Sequence, residues 1–270
     1  MTSSKIKERG VMNKSPRIIL FLISLFSFLL FLSIWEYLVD SGTMSSRILA
    51  SPREVVATAI IKLTDTAPDG ATLPQHIQSS MILAVTGYVV AAGFGAILGL
   101  LMGWFKRVDR IVQPLFEIFR PIPPISWIPL SILWFGIGLQ AKAFIIFYAA
   151  FVPSVINSYA GIKMTDPTLI NVGKTCGASN FKIFFRIGIP YALPMVFTGL
   201  RLSLNSAWMT LVGAELLAAT SGLGYMIQMG RSYGRPDIII VGMLVIGLLG
   251  ALMSFVLTKA EHHYNRGRKA

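Results

Sequence analysis

The chain has 270 residues, of which 54% are hydrophobic and 13% charged, with a mean hydropathy of +0.67 and a formal net charge of +12. This balance excludes an ordinary soluble domain and describes a polytopic membrane protein. The basic excess does not point to nucleic acid, because the lysines and arginines are strung between apolar runs, not gathered on one soluble face.

In chain order, residues 1–17 form a polar tail carrying Lys5, Lys7, Arg9, Lys14 and Arg17. Ile18 to Val39 is apolar except for Glu36, long enough to cross about 30 Å of hydrocarbon, and lacks the small-residue cleavage site of a signal peptide. It is read as a retained first span. Within the polar stretch Ser41–Ser80, Ser51-Pro52-Arg53-Glu54 forms a capping box followed by Val55, Val56, Ala59, Ile60 and Leu63 at helical spacing. This predicts a short amphipathic helix on the outer surface.

Met81 to Phe105 is the second predicted span. Gly87, Ala91, Gly95, Gly99 and Gly103 recur every four residues along it, a stripe that lets a neighbouring helix approach closely. A nucleotide-binding role for these glycines fails, since no strand precedes them. Lys106, Arg107 and Arg110 make a basic turn. Leu115 to Gly138 is the third span, interrupted by Pro121, Pro123, Pro124 and Pro129, so it cannot be helical throughout. Ala143–Ile162, Tyr191–Leu217 and Ile238–Leu257 complete six predicted spans. A polar loop containing Ser221-Gly222-Leu223-Gly224 and Arg231 to Arg235 separates the last two.

Between the fourth and fifth spans lies a stretch of mixed polarity, residues 165–190. Asp166 followed by Pro167 reads as an N-cap with proline at the first helical position, and Gly177 as a left-handed C-cap. Ser179 can cap a second short helix, which Gly188 and Pro190 are expected to end. The element is predicted as a helix-turn-helix outside the bilayer. Six spans put both termini and this stretch on one side, which carries sixteen lysines and arginines against six on the other. That side is read as cytoplasmic. The resulting organisation is an N-terminal tail (1–17), a transmembrane region (18–258) with the loop 165–190, and a C-terminal tail (259–270).

Charges within or beside the membrane mark candidate functional positions: Glu36, Glu117, Arg120, Arg201 and Glu215. Arg120 precedes the proline cluster and can snorkel to headgroups or attract an anionic solute. Ser203, Asn205, Ser206, Trp208 and Thr210 make one face of span five polar, so Arg201, Asn205, Trp208 and Glu215 are candidate pathway residues, joined by Arg120 and Trp127. The tryptophans also suit the aromatic belts at membrane interfaces. No nucleophile, base and orienter gather anywhere, and His262 and His263 fall in a basic tail. Three histidines without paired spacing and the single Cys176 give neither a metal site nor a disulfide. The chain also lacks a Gly-x-x-x-x-Gly-Lys-Ser/Thr run and so does not itself hydrolyse nucleotide.

The segment from Asn171 to Pro190 resembles the cytoplasmic loop signature of binding-protein-dependent ABC importer permeases, in which an acidic-Ala-Ala start is followed by glycine and later by Ile-x-Leu-Pro. Gly177, Ile187 and Pro190 keep the spacing, while Ile189 stands in place of leucine and Asn171-Val172-Gly173 in place of the start. Glu117 through Pro124, Trp134-Phe135-Gly136-Ile137-Gly138, Thr198-Gly199-Leu200-Arg201 and Ala214 through Thr220 are similar to the taurine, alkanesulfonate and nitrate branch. The resemblance implies an all-α membrane fold of the type I importer class, with six transmembrane helices and a cytoplasmic coupling helix. It further implies a homodimer in the bacterial inner membrane, two ATPase subunits that bind ATP and magnesium, and a periplasmic or lipid-anchored solute-binding protein. Asp166, Asn171, Val172, Gly173, Lys174, Gly177, Ala178, Ile187 and Pro190 would carry the coupling to the ATPase. Phe181, Phe184 and Phe185 would anchor the element to the membrane domain. The rival readings are a membrane-embedded enzyme, for which no constellation exists, and a passive channel or secondary transporter, which needs no ATPase-docking element.

Overall fold

Backbone in hydrocarbon must satisfy its own hydrogen bonds, so each long apolar run is expected to close into a helix. The computed structural model, which describes residues 15–266, is built in this way; the tail through Lys14, the last four residues and the side chains of residues 15–18, 218 and 262–266, His262 and His263 among them, lie outside the description. Among the described residues, five helices are long and apolar enough to cross a membrane. These comprise α1 (Ser15–Asp40), α3 (Leu73–Trp104), α6 (Leu139–Lys163), α9 (Ile189–Ala218) and α11 (Pro236–Arg266). Between them lie α2 (Pro52–Ile61), α4 (Lys106–Phe119), α5 (Ile128–Phe135), α7 (Pro167–Thr175), α8 (Asn180–Ile183) and α10 (Leu223–Ser232).

The third predicted span is no single helix. Its prolines divide it into α4, a 3-10 turn at Pro124–Trp127 and α5. A crossing is nevertheless required there by the packing of its neighbours. Gly87 of α3 sits against Ile146 of α6, Gly95 against Ser154, Gly99 against Ser158 and Gly103 against Ile162. Both indices rise together, so α3 and α6 run parallel, and the chain from 105 to 138 must return from one face of the bundle to the other. By the same test α6 and α9 are antiparallel, with Gly161 on Ala192 and Gly199 on Asn157. α9 and α11 are antiparallel too, since Trp208 bonds Ile246 while Arg201 pairs with Glu261.

The glycine stripe thus forms the α3–α6 seam. A Cβ on Gly99 would fall on the Val155 carbonyl and within 2.9 Å of the Ser158 Cβ, and neither can retreat without moving α6. Gly99→Ala is expected to cost about 1–3 kcal/mol of stability, read as a lower thermal midpoint of the purified chain in detergent. An unchanged midpoint would mean that the seam is not closely packed.

Three elements depart from expectation. Helix α3 begins at Leu73, not Met81, because Thr72 and Gln75 supply an N-terminal cap in which the Thr72 N–H donates to Gln75 Oε1 at 2.8 Å. The polar loop after span five contains α10, whose Leu223 and Met226 are fully buried. Gly188 and Pro190 do not end a helix. A π turn at Phe184–Gly188 carries α8 directly into α9, and Pro190 lies in the first turn of α9, where a missing N–H is tolerated.

At the opposite end, the capping box of α2 forms as the sequence indicates. The Glu54 N–H donates to Ser51 Oγ at 3.3 Å and the Ser51 N–H to Glu54 Oε2 at 2.9 Å. α2 fastens α1 to the bundle through Arg53–Glu36 at 3.3 Å, and it bonds to α11 through Thr58 Oγ1, which donates to Asp237 at 2.6 Å. The Trp35 indole N–H also donates to the Ala50 carbonyl. The rest of α1 turns its apolar side chains outward, with Phe21 and Phe31 exposed, as a lipid-facing helix does.

Candidate functional site

The loop at 165–190 is rigid because both ends of α7 are capped. The Thr168 N–H donates to Asp166 Oδ1 at 2.7 Å, and Pro167 occupies the first turn. At the other end Gly177 has φ +73°, and two bonds close a Schellman motif: the Ala178 N–H to the Gly173 carbonyl at 3.0 Å and the Gly177 N–H to the Lys174 carbonyl at 2.9 Å. Ser179 Oγ then accepts from the Lys182 N–H to start α8.

What holds this element to the membrane domain is apolar. Gly173 lies against Ile183 and Ile187, close enough that a Cβ there would meet the Ile183 side chain at 3.1 Å. Ile183 and Phe184 are buried, and Phe184 packs between Trp104 and Phe105 with ring centroids 5.5 and 5.4 Å away. Phe181 reaches Phe105 from the other side. Gly188 admits the Trp104 ring where a Cβ would collide with it. The outward face of α7 stays open: Leu169 and Val172 are 42% and 55% exposed, with Asn171 and Lys174 exposed beside them. Two exposed aliphatic side chains on a short, doubly capped helix make a ready docking surface.

The predicted pathway residues divide into three groups. Arg120 caps α4 and pairs with Glu117 at 3.0 Å in an exposed i,i+3 bridge. Trp127 sits in the broken crossing within an aromatic cluster that includes Phe119, Trp134, Phe144 and Tyr148. The Tyr148 hydroxyl donates to the Phe119 carbonyl and so fixes the break. Arg201, Asn205 and Trp208 follow one another along α9 toward α11. Arg201 Nη1 lies 3.3 Å from Glu261 Oε2, and Ser254 Oγ and Asn205 Oδ1 are 3.3 Å apart. The Trp208 indole N–H donates to the Ile246 carbonyl at 3.2 Å. Asn205 and Trp208 line one groove of about 540 Å³ with Met209, Gly250 and Ser254. At 6% exposure, Trp208 is a packing residue between two helices and not a member of an interfacial belt.

Glu215 stands apart from these, 1% exposed in a network that the sequence reading missed. Its carboxylate oxygens lie 2.8 and 2.9 Å from Ser80 Oγ and accept from the Gly224 N–H at 2.9 Å. Ser80 Oγ in turn accepts from the Leu223 N–H, and His76 Nδ1 accepts from the Gly222 N–H at 3.1 Å. His76 Nε2 faces Asp69 at 3.3 Å, and Asp69 takes a 2.6 Å bond from the buried Lys62 ammonium. Lys142 is buried in the first turn of α6. The available signal was Thr72-Leu73-Pro74-Gln75, a helix start that moves His76 and Ser80 from a loop into α3.

Among the described residues, a set of membrane-length helices with a rigid capped element at their ends defines a helical membrane protein. Residues 91–269 match the family model of the binding-protein-dependent transport system inner membrane component, and the chain belongs to that family. Among its relatives, a probable ABC transporter permease protein of Brucella melitensis biotype 1 is 35% identical over 88% of this chain and 94% of its own length. The taurine transport system permease protein TauC of Escherichia coli K12 is 34% identical over 84% of this chain and 82% of its own. The putative aliphatic sulfonates transport permease protein SsuC of Bacillus subtilis is 32% identical over 83% and 80%. In fold, the chain resembles a subunit of the MetNI methionine ABC transporter in an inward facing conformation, with a TM-score of 0.57 and 21% identity over 70% of this chain and 95% of that one. It also resembles a chain of a bacterial ABC transporter that imports alginate, with a TM-score of 0.56 and 17% identity over 94% and 99%. The chain is therefore a multi-pass inner membrane permease of an ABC importer, a subunit without an ATPase site of its own.

Proposed function

We propose that two copies of this chain form the membrane pathway of an importer for a small anionic solute, a sulfonate such as taurine or a nitrate-like oxyanion. ATP and magnesium are held by two ATPase subunits docked on the two α7 helices, and a solute-binding protein delivers cargo on the far side. The observation that carries this reading is α7, a helix capped at both ends that is anchored through Gly173, Ile183 and Phe184 and shows Leu169 and Val172 outward. Asp166, Gly177 and Ala178 set its shape, Asn171, Val172 and Lys174 meet the ATPase, and Ile187 and Pro190 relay its movement into α9 through the π turn. A passive channel has no use for such an element. The excess of basic residues on that side supports a cytoplasmic position for α7 and both termini.

The pathway follows α9 past Arg201, Asn205 and Trp208, with Arg120 and Trp127 on the broken crossing. Reconstitution with the cognate ATPase and solute-binding protein tests the reading: taurine or nitrate should accumulate in proteoliposomes against its gradient only with ATP. Equilibration without ATP would support the channel instead. Within the same assay, Arg201→Ala is expected to lower uptake about tenfold, the cost of losing one charge-assisted contact, with ATPase co-purification intact. Glu261→Gln, which keeps the guanidinium and frees it from its partner, should lower uptake less. Equal losses in the two variants would reduce the pair to a helix clip.

A further inference from the structure

A second cavity, of about 710 Å³, opens where α3 and α6 end and α7 begins. It is lined by Lys106, Arg107, Lys163 and Lys174, with Trp104 and Thr165 at its wall. We propose that this cavity binds a phosphate group, supplied by the headgroup of an anionic phospholipid. The proposal goes beyond the transport reading, which uses α7 through Leu169, Asn171 and Val172 and shares with this cavity only Lys174.

Charge is the first reason. Four cationic side chains surround one cavity, and the opposing carboxylates are few. Asp109 lies 3.6 Å from Lys163 Nζ and takes a bond from the Tyr159 hydroxyl at 3.3 Å, while Asp166 is occupied as the cap of α7. A net positive charge remains. The second reason is independent of charge. Thr165 is 5% exposed and its Oγ1 has no hydrogen-bond partner, nor does the buried indole Nε1 of Trp104. Buried donors are normally satisfied; Thr165 and Trp104 both line the basic cavity, and a phosphate that enters behind the groups covering these two donors would supply their acceptor. Basic loops that merely follow the positive-inside rule have no need of them.

Position selects the headgroup over a free ion. The cavity begins at the terminal residues of two membrane-crossing helices, Trp104 and Lys163, and Trp104 and Phe105 supply the aromatic edge typical of the headgroup level. Its volume exceeds the needs of an inorganic ion.

The test is binding of phosphatidylglycerol, phosphatidylcholine or inorganic phosphate to the full chain in detergent, followed by native mass spectrometry. Saturable retention of phosphatidylglycerol over phosphatidylcholine is expected, weakened about tenfold by Arg107→Gln and likewise by Thr165→Val. Lys182→Gln, outside the cavity, should leave it unchanged. Thr165→Val keeps every charge and nearly the same volume, so its effect separates a built site from general attraction; its thermal midpoint, measured alongside, should match the parent. Competition by inorganic phosphate with no preference between the lipids would assign the site to a free ion and overturn the headgroup. Equal retention of both lipids without phosphate binding, or retention unmoved by Arg107→Gln and Thr165→Val, would overturn the site, leaving the four cations to acidic side chains of the ATPase.

Discussion

Replacing Glu215 with leucine is expected to destabilise the chain by about 2–5 kcal/mol, the cost of leaving two buried donors without their acceptor. The carboxylate is 1% exposed and holds together two parts of the bundle: Ser80 of α3 and the Gly224 N–H at the start of α10. Leucine has nearly the right volume but accepts nothing. Ser80 would lose the acceptor for its one proton and the Gly224 N–H would be orphaned. Glu215→Gln keeps an acceptor and loses the charge, so a smaller loss of about 1–3 kcal/mol should follow. The readout is the thermal midpoint and folded yield in detergent, and a leucine variant as stable as the parent would show the network to be dispensable. Gly222 belongs to the same knot. Its φ of +116° is a glycine conformation, and a Cβ there would fall on the Glu215 carboxylate.

The same network shows where sequence reasoning reaches its limit. Helices were legible wherever apolar length or cap chemistry is local. The capping box at Ser51, the Asp166-Pro167 start and the left-handed Gly177 each depend on residues within a few positions of one another. The glycine stripe was legible for the same reason, since one helix face reports that something packs there. It could not name α6 as the partner, nor show that the two helices run parallel. Glu215 and Ser80 are 135 positions apart, and no periodicity in one strand of text places a serine in a supposed loop against a glutamate in a span. The continuity of α8 into α9 was lost differently. Glycine and proline at 188 and 190 are stop signals by propensity, and the π turn overrides them by absorbing the misfit within a helix whose flanks, Phe184 and Ala192, are buried.

Cutting out residues 172–177 is expected to abolish both ATPase co-purification and ATP-driven accumulation while leaving the membrane bundle folded. The reason lies in how little of α7 the bundle uses. Its anchorage runs through Gly173 onto Ile183 and Ile187, whereas Ile183 and Phe184 are themselves held by Trp104 and Phe105. Loss of the Schellman end therefore removes the docking helix but not its seat. Point variants grade the effect. Val172→Glu places a charge on the centre of the exposed apolar face and should weaken the complex at least about tenfold, as an interface anchor does when truncated or mispaired. Asp166→Ala removes only the N-cap, worth about 1 kcal/mol of helix stability, so the complex should form but turn over more slowly. A complex that survives both the deletion and Val172→Glu would mean that the ATPase docks elsewhere, and the rigidity of α7 would then need another explanation. If only the deletion disrupts it, the contact runs through residues of the deleted segment other than Val172, Lys174 among them.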